Sequence, residues 1–171
     1  MADTDEHRSD TARVSTPDRR VASGRRLLAP LVAVVAALLL AGGLTSCEST
    51  APDRDAVRNA INASRAAAGL PGLRENVTLD IKADKWAQTL RDNCRIWHSN
   101  LADGAPDEWR KLGENVGMGG SIDQIHVAYM NSPGHKANVL DRSFDQVGTA
   151  AVWGQCNGFR TVFTVHVFMK G

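Results

Sequence analysis

Two runs near the C-terminal end constrain the architecture most. QVGTAAVWG (146–154) and FRTVFTVHVFM (159–169) are rich in β-branched and aromatic residues and are joined through QCNG, the pattern of a β-hairpin. In the second run Phe159, Phe163, Val165 and Val167 share one face, and Val162, His166 and Phe168 share the other, because side chains alternate along a strand. Both faces carry apolar residues. A strand pair of that kind needs cover on both sides, so the chain must supply two further layers.

The preceding sequence supplies helices. In DRDAVRNAINASRAAAG (53–69), Val57, Ala60, Ile61, Ser64 and Ala68 recur at helical spacing, with Asp53 as cap and Gly69 as stop. TLDIKADKWAQTLRDNC (78–94) places Ala83, Trp86, Ala87, Leu90 and Cys94 on one face. SIDQIHVAYMN (121–131) opens on a capping Ser121 and aligns Ile122, Ile125 and Tyr129. RIWHSNLADGAPDEW (95–109) reads as irregular and ENVGMGG (114–120) as a short glycine-rich piece. Helices followed by a doubly covered hairpin predict an α+β fold, with helices on both faces of an antiparallel sheet.

The N-terminal part is of another kind. Residues 1–24 are polar and patternless; Arg25 and Arg26 then precede the uncharged run LLAPLVAVVAALLLAGGL (27–44), which closes in LTSC (44–47). A basic segment, an apolar core and small residues describe a secretory signal. The four closing residues resemble the bacterial lipobox, whose cysteine is acylated and becomes the new N-terminus. The expected organisation is a polar extension and signal over 1–46, a lipidated Cys47 and tether over 47–53, and a folded domain over 54–171. An uncleaved anchor is the alternative, since roughly 18 apolar residues approach the ~20 needed to span a bilayer. Both readings put the domain outside the membrane. The length of the polar extension also admits a translation start further downstream.

From Cys47 onward, acidic and basic residues are equal in number. No basic patch or stripe of the kind that nucleic-acid binding requires is present. Cys94 and Cys156 remain as a pair, which in an exported chain reads as a disulfide. Closing that loop contributes on the order of 4 kcal/mol in the chain-entropy picture. No CxxC spacing supports a two-cysteine metal site.

NASRAAAGLPGL (62–73), CRIWHSNL (94–101), GENVGMG (113–119), YMNSPGHKANVL (129–140) and FDQVGTAAV (144–152) follow one another in this order. Together they resemble the CAP superfamily, or SCP domain, of cysteine-rich secretory proteins, antigen 5 and pathogenesis-related 1, in its short bacterial form. The resemblance covers roughly residues 54–169. It implies an α-β-α sandwich with a central antiparallel sheet, and a cleft lined by two histidines and acidic residues. By motif, His98, Glu114 and His135 match three of the four cleft positions. The fourth, a glutamate in many eukaryotic members, falls at Ser132, and the usual tryptophan three residues earlier is Tyr129. Asn62 and Arg65 match an N-x-x-R motif of the first helix and read as a buried polar brace.

Two imidazoles and a carboxylate suit Zn²⁺ or another divalent cation, with water in the fourth position. His98, Glu114 and His135 come from separate segments, without the HExxH spacing that sets two histidines on one helical turn. The same residues can instead brace loops, in which case their loss costs stability. Ser132 and His135, three apart, invite a Ser/His hydrolase reading; there is no GxSxG elbow, and a nucleophile needs a base in reach and oxyanion donors. His126 and His166 read as packing residues. The resemblance implies an exported, lipid-anchored module that binds an envelope lipid, peptidoglycan or a protein. A metal-assisted or Ser/His hydrolase and a ligand-free structural envelope protein are the alternatives.

Overall fold

The computed structural model describes residues 49–171. The expected signal (1–46) and the expected lipid-bearing Cys47 lie outside the described residues. In chain order the elements are α1 (Ala51–Ala67), β1 (Arg74–Glu75), α2 (Val77–Asp92), β2 (Lys111–Gly119), α3 (Ile122–Asn131), α4 (Pro133–Val139), β3 (Gln146–Cys156) and β4 (Phe159–Lys170). The sheet runs β1-β3-β4-β2. β3 and β4 form the hairpin, in register from Gln146 opposite Met169 to Cys156 opposite Phe159. Asn157 and Gly158 both have positive φ, the backbone that a tight two-residue hairpin turn requires and that Asn-Gly supplies most readily. β2 pairs antiparallel with β4. The three long strands are therefore antiparallel, and β1 adds a two-residue parallel contact to β3.

The two faces of the hairpin separate two apolar cores. α2 presses Leu79, Ala83, Ala87 and Leu90 onto Ala150, Val152, Phe163, Val165, Val167 and Met169. On the other side Val57 and Ile61 of α1, Ile125 and Tyr129 of α3, and Val139 of α4 cover Val147, Ala151, Val162 and Phe168. The result is the α-β-α sandwich. Phe159 departs from the expected alternation: it opens β4 beyond the reach of either helical layer and is exposed. α2 lies so close to β3 that a Cβ on Gly148 would stand 2.1 Å from the Leu79 carbonyl carbon. Only glycine permits that approach.

α1 starts earlier than the Asp53 cap expected from sequence. Thr50 is the N-cap and accepts from the Asp53 amide, with Pro52 in the first turn, where its missing N–H costs nothing. Ser49 is already part of the fold. β3 pairs with β1 only at its start, which leaves later amides open on that side. The Thr149 amide donates to Asp80 Oδ1 at 2.7 Å and the Ala151 amide to Ser49 Oγ at 2.8 Å, so side chains take up the first two amides beyond the β1 pairing. Burial raises the Asp80 carboxyl to about 6, against the Thr149 bond that lowers it.

Two further ties fix the frame. Cys94, just past α2 at φ 45°, is bonded to Cys156 at the end of β3 across a Cα separation of 5.5 Å; the expected disulfide is present. Arg65 is fully buried. Its guanidinium donates to the carbonyls of Pro71, Val139, Asp141 and Phe144. Asn62 exchanges hydrogen bonds with the Leu73 backbone. The N-x-x-R pair is thus the brace the sequence indicated, tying α1 to the loops around α4.

Candidate functional site

β2 carries the centre of the site. Its residues alternate, so Glu114 points toward the layer that holds α2 and the 95–109 segment, while Asn115 points toward α4. The glycine-rich GENVGMG stretch forms a strand because its glycines make room: a Cβ on Gly117 would lie 2.6 Å from the Tyr129 hydroxyl. Tyr129 can then bury its ring and reach Thr164 Oγ1 at 3.0 Å.

The Glu114 side chain is only 3% exposed, while that of His98 is 63% exposed. Glu114 Oε1 meets His98 Nδ1 at 2.8 Å and accepts from the Ser99 amide at 2.9 Å; Oε2 accepts from the Ser99 hydroxyl at 2.6 Å. Both carboxylate oxygens are therefore engaged. Lys82 on α2 reinforces the same loop, its ammonium donating to Ser99 Oγ, Asn100 O and Asp103 O. Burial lowers the Lys82 pKa, opposed by Glu114 and Asp103.

His135 arrives from the other layer. Ser132 is the N-cap residue of α4 without a side-chain cap bond to the helix; its hydroxyl pairs instead with His135 Nδ1 at 3.0 Å. The His135 ring leans on Tyr129, centroids 4.8 Å apart. Burial, and secondarily His98, holds the His135 imidazole below its ordinary pKa, so it is neutral near pH 7. The backbone of α4 is stitched to β2 by Asn115 and Asn138. Asn115 Nδ2 donates to His135 O, and Asn138 Nδ2 donates to Asn115 Oδ1 and Glu114 O.

The structure therefore brings His98 and Glu114 into contact and sets Ser132 against His135, but does not assemble the expected three-ligand metal set. Among the described residues no group of three or more His, Cys, Asp or Glu is arranged to hold an ion. Glu114 is buried and both its oxygens are bonded to His98 and Ser99, whereas the outer ring edge of His98 faces solvent. The Ser132–His135 contact is a short-range bond within the first turn of α4. Among the described residues His135 meets no carboxylate that would orient it, since the single His–carboxylate pair is His98–Glu114. His126 is half-buried and bonded to Ser64 Oγ. His166 is buried against Tyr129 and Phe168, where desolvation lowers it to about 3.

Four residues that hold the site together were not singled out from sequence: Ser99, Asn115, Asn138 and Lys82. The first three lie inside the sequence motifs that also carry His98, Glu114 and His135. Lys82 gave no signal, since a lysine on an amphipathic helix reads as solvated surface.

Residues 58–168 match the cysteine-rich secretory protein family, CAP. The uncharacterized protein YkwD of Bacillus subtilis is 29% identical over 108 residues, covering 55% of this chain and 42% of YkwD; the chain thus accounts for less than half of that relative's length. Among solved structures, an outer surface protein from Borrelia burgdorferi superimposes with a TM-score of 0.59 at 22% identity, over 71% of this chain and 94% of that one. An extracellular SCP-domain protein from Bacillus anthracis gives 0.55 at 20% identity, over 69% and 40%. Schistosoma mansoni venom allergen-like protein 4 gives 0.55 at 14%, over 69% and 88%. At these identities the structures report on the fold.

Proposed function

The chain belongs to the cysteine-rich secretory protein family and is a CAP-domain protein of bacterial type; from that premise we propose that it is an exported, lipid-anchored module that binds a ligand of the cell envelope. One observation carries the choice of binding over catalysis: the buried acid of the site is fully occupied in holding His98 and Ser99. General acid–base catalysis needs a titratable group free to exchange a proton with substrate. Glu114 is not free, and among the described residues no carboxylate orients the Ser132–His135 pair, since the single His–carboxylate pair is His98–Glu114. The site offers two imidazole edges on a rigid frame, which suits recognition of a polar or anionic group. The lipobox at Cys47, the disulfide and the extracellular and outer-surface relatives support export; attachment by lipid at Cys47 is part of the proposal.

The test uses the exported protein purified from membranes of a lipoprotein-processing bacterium. Binding to isolated peptidoglycan and to lipid vesicles is measured for wild type and for a His98→Ala, His135→Ala double variant of unchanged melting temperature. The expected outcome is retention on one of the two by wild type and loss by the variant. Turnover of an esterase and amidase panel that disappears in a Ser132→Ala variant would replace the binding reading with the hydrolase one.

A further inference from the structure

We propose that the outer face of α2 is a membrane-docking surface that rests on the bilayer holding the N-terminal lipid. The inference depends on lipidation of Cys47, and its basis is how little chain separates that residue from the folded domain. Ser49 is 4% exposed. Its amide donates to Asp84 Oδ1 at 2.6 Å, its carbonyl accepts from Arg54 Nη1 at 2.6 Å, and its hydroxyl accepts from the Ala151 amide. All three of its polar groups are bound to the domain. Cys47 precedes it by two residues, and an extended residue spans at most about 3.6 Å, so the acylated residue lies within roughly 7 Å of Ser49. A chain that short is no long tether. It holds at the bilayer whichever face surrounds Asp84.

That face is the solvent side of α2. Val77, Ile81 and Lys85 recur every four residues, which places them on one stripe, next to Asp84. Val77 is 66% and Ile81 53% exposed. Ile81 and Lys85 form a ridge between two shallow grooves. One, of about 510 Å³, is lined by Thr78, Trp86 and Thr89; the other, of about 430 Å³, by Arg54 and Val77. Exposed aliphatics on a helix whose other side is core are ordinary when scattered. Here they stand beside the one point where lipid enters.

The charges on this face are mixed, and one cation is free to meet a phospholipid surface. Lys85 forms no ion pair among the described residues, and its stem can lie along apolar surface with the ammonium raised to a phosphate. Asp84 keeps its charge, with one oxygen on the Ser49 amide and the other on the Gln88 side-chain amide. Glu75 is paired with Arg58, Asp80 is buried under Thr149, and Lys82 is turned inward onto the 99–103 loop.

The experiment places an environment-sensitive fluorophore at Ile81→Cys or, as control, at Val127→Cys, a 60% exposed position on α3 in the opposite layer. Each variant is purified from membranes after processing and reconstituted in phosphatidylcholine/phosphatidylglycerol vesicles with lipid-borne quenchers. The expected result is several-fold stronger quenching at position 81 than at 127. A diacylglyceryl adduct on Cys47 by mass spectrometry, with equal weak quenching at both positions, overturns docking and leaves the anchor standing. An unmodified Cys47 overturns the anchor and docking together. Both positions are exposed, so melting temperatures like wild type are expected and certify the fold.

Discussion

Glu114 and His98 divide one ion-pair geometry unequally: the acid is almost completely buried and the base stands largely in solvent, 2.8 Å away. Glu114 also accepts two bonds from Ser99. The pair therefore works as a fixture for the 95–109 segment, and its two halves differ in what they cost to remove. Glu114→Gln weakens three bonds at a buried point and is expected to cost about 1–3 kcal/mol, whereas His98→Ala removes an exposed partner at under about 1 kcal/mol. Urea melts of both variants check the asymmetry; equal losses would contradict it.

Arg65 satisfies four backbone carbonyls from a fully buried position. Burial lowers its pKa, partly offset by Asp141. Arg65→Met leaves those carbonyls without their donor, and a loss of about 3–5 kcal/mol is expected. Arg65→Lys keeps the charge but not the planar fork, and should recover only part of the loss. Denaturant midpoints of the two variants give the order, and a methionine variant as stable as wild type would remove the brace from the account.

Acid stability is expected to hide two opposing titrations. His166 has its folded pKa lowered to about 3 by desolvation first, then by His126 and His135. The unfolded chain takes up this proton near pH 6.5, so the contribution of His166 is present above that value and lost as pH falls toward 3. Asp80 is raised to about 6, chiefly by burial. The native state binds its proton first, so its contribution grows as pH falls through 6 and levels off below the ordinary carboxylate range. Each amounts to on the order of 2–3 kcal/mol between pH 6.5 and 4.5. Asp80→Asn should therefore expose a steep loss on acidification, and His166→Phe should abolish it. Unfolding free energies at pH 7 and pH 4.5 decide; parallel profiles for the two variants would refute the pairing.

The Cys94–Cys156 bond closes a separation of 62 residues and joins the end of α2 to the end of β3. Replacing both cysteines by alanine is expected to cost about 2–4 kcal/mol. Without reductant neither thiol should react with iodoacetamide, which peptide mass spectrometry reads directly.

How much of this was legible beforehand follows from which interactions are periodic. The hairpin, its two apolar faces and the helix stripes of α2 and α3 announce themselves in alternation and 3.6-residue spacing, so the sandwich could be read. Ser121 behaves as the cap its position indicated. The motifs located His98, Glu114, Ser132 and His135, but not who bonds to whom. That Glu114 spends itself on Ser99 depends on a loop closing over β2, and no local pattern encodes it. Phe159 lies outside both layers because a strand's register says nothing of how far the neighbouring helices extend. Thr50 took the capping role from Asp53 because Pro52 favours the first turn of a helix, a cue the sequence did contain.

Ser49 makes the margin of β3 depend on a residue that stands ahead of the first helix. Cleavage between Cys47 and Ser49 would keep the Ser49 hydroxyl on the Ala151 amide. Cleavage just after Ser49 would strip that hydroxyl away and leave the Ala151 amide buried without a partner, while the Thr149 amide stays on Asp80. Two scissions almost adjacent in sequence would thus differ by one buried amide, satisfied in the first case and orphaned in the second.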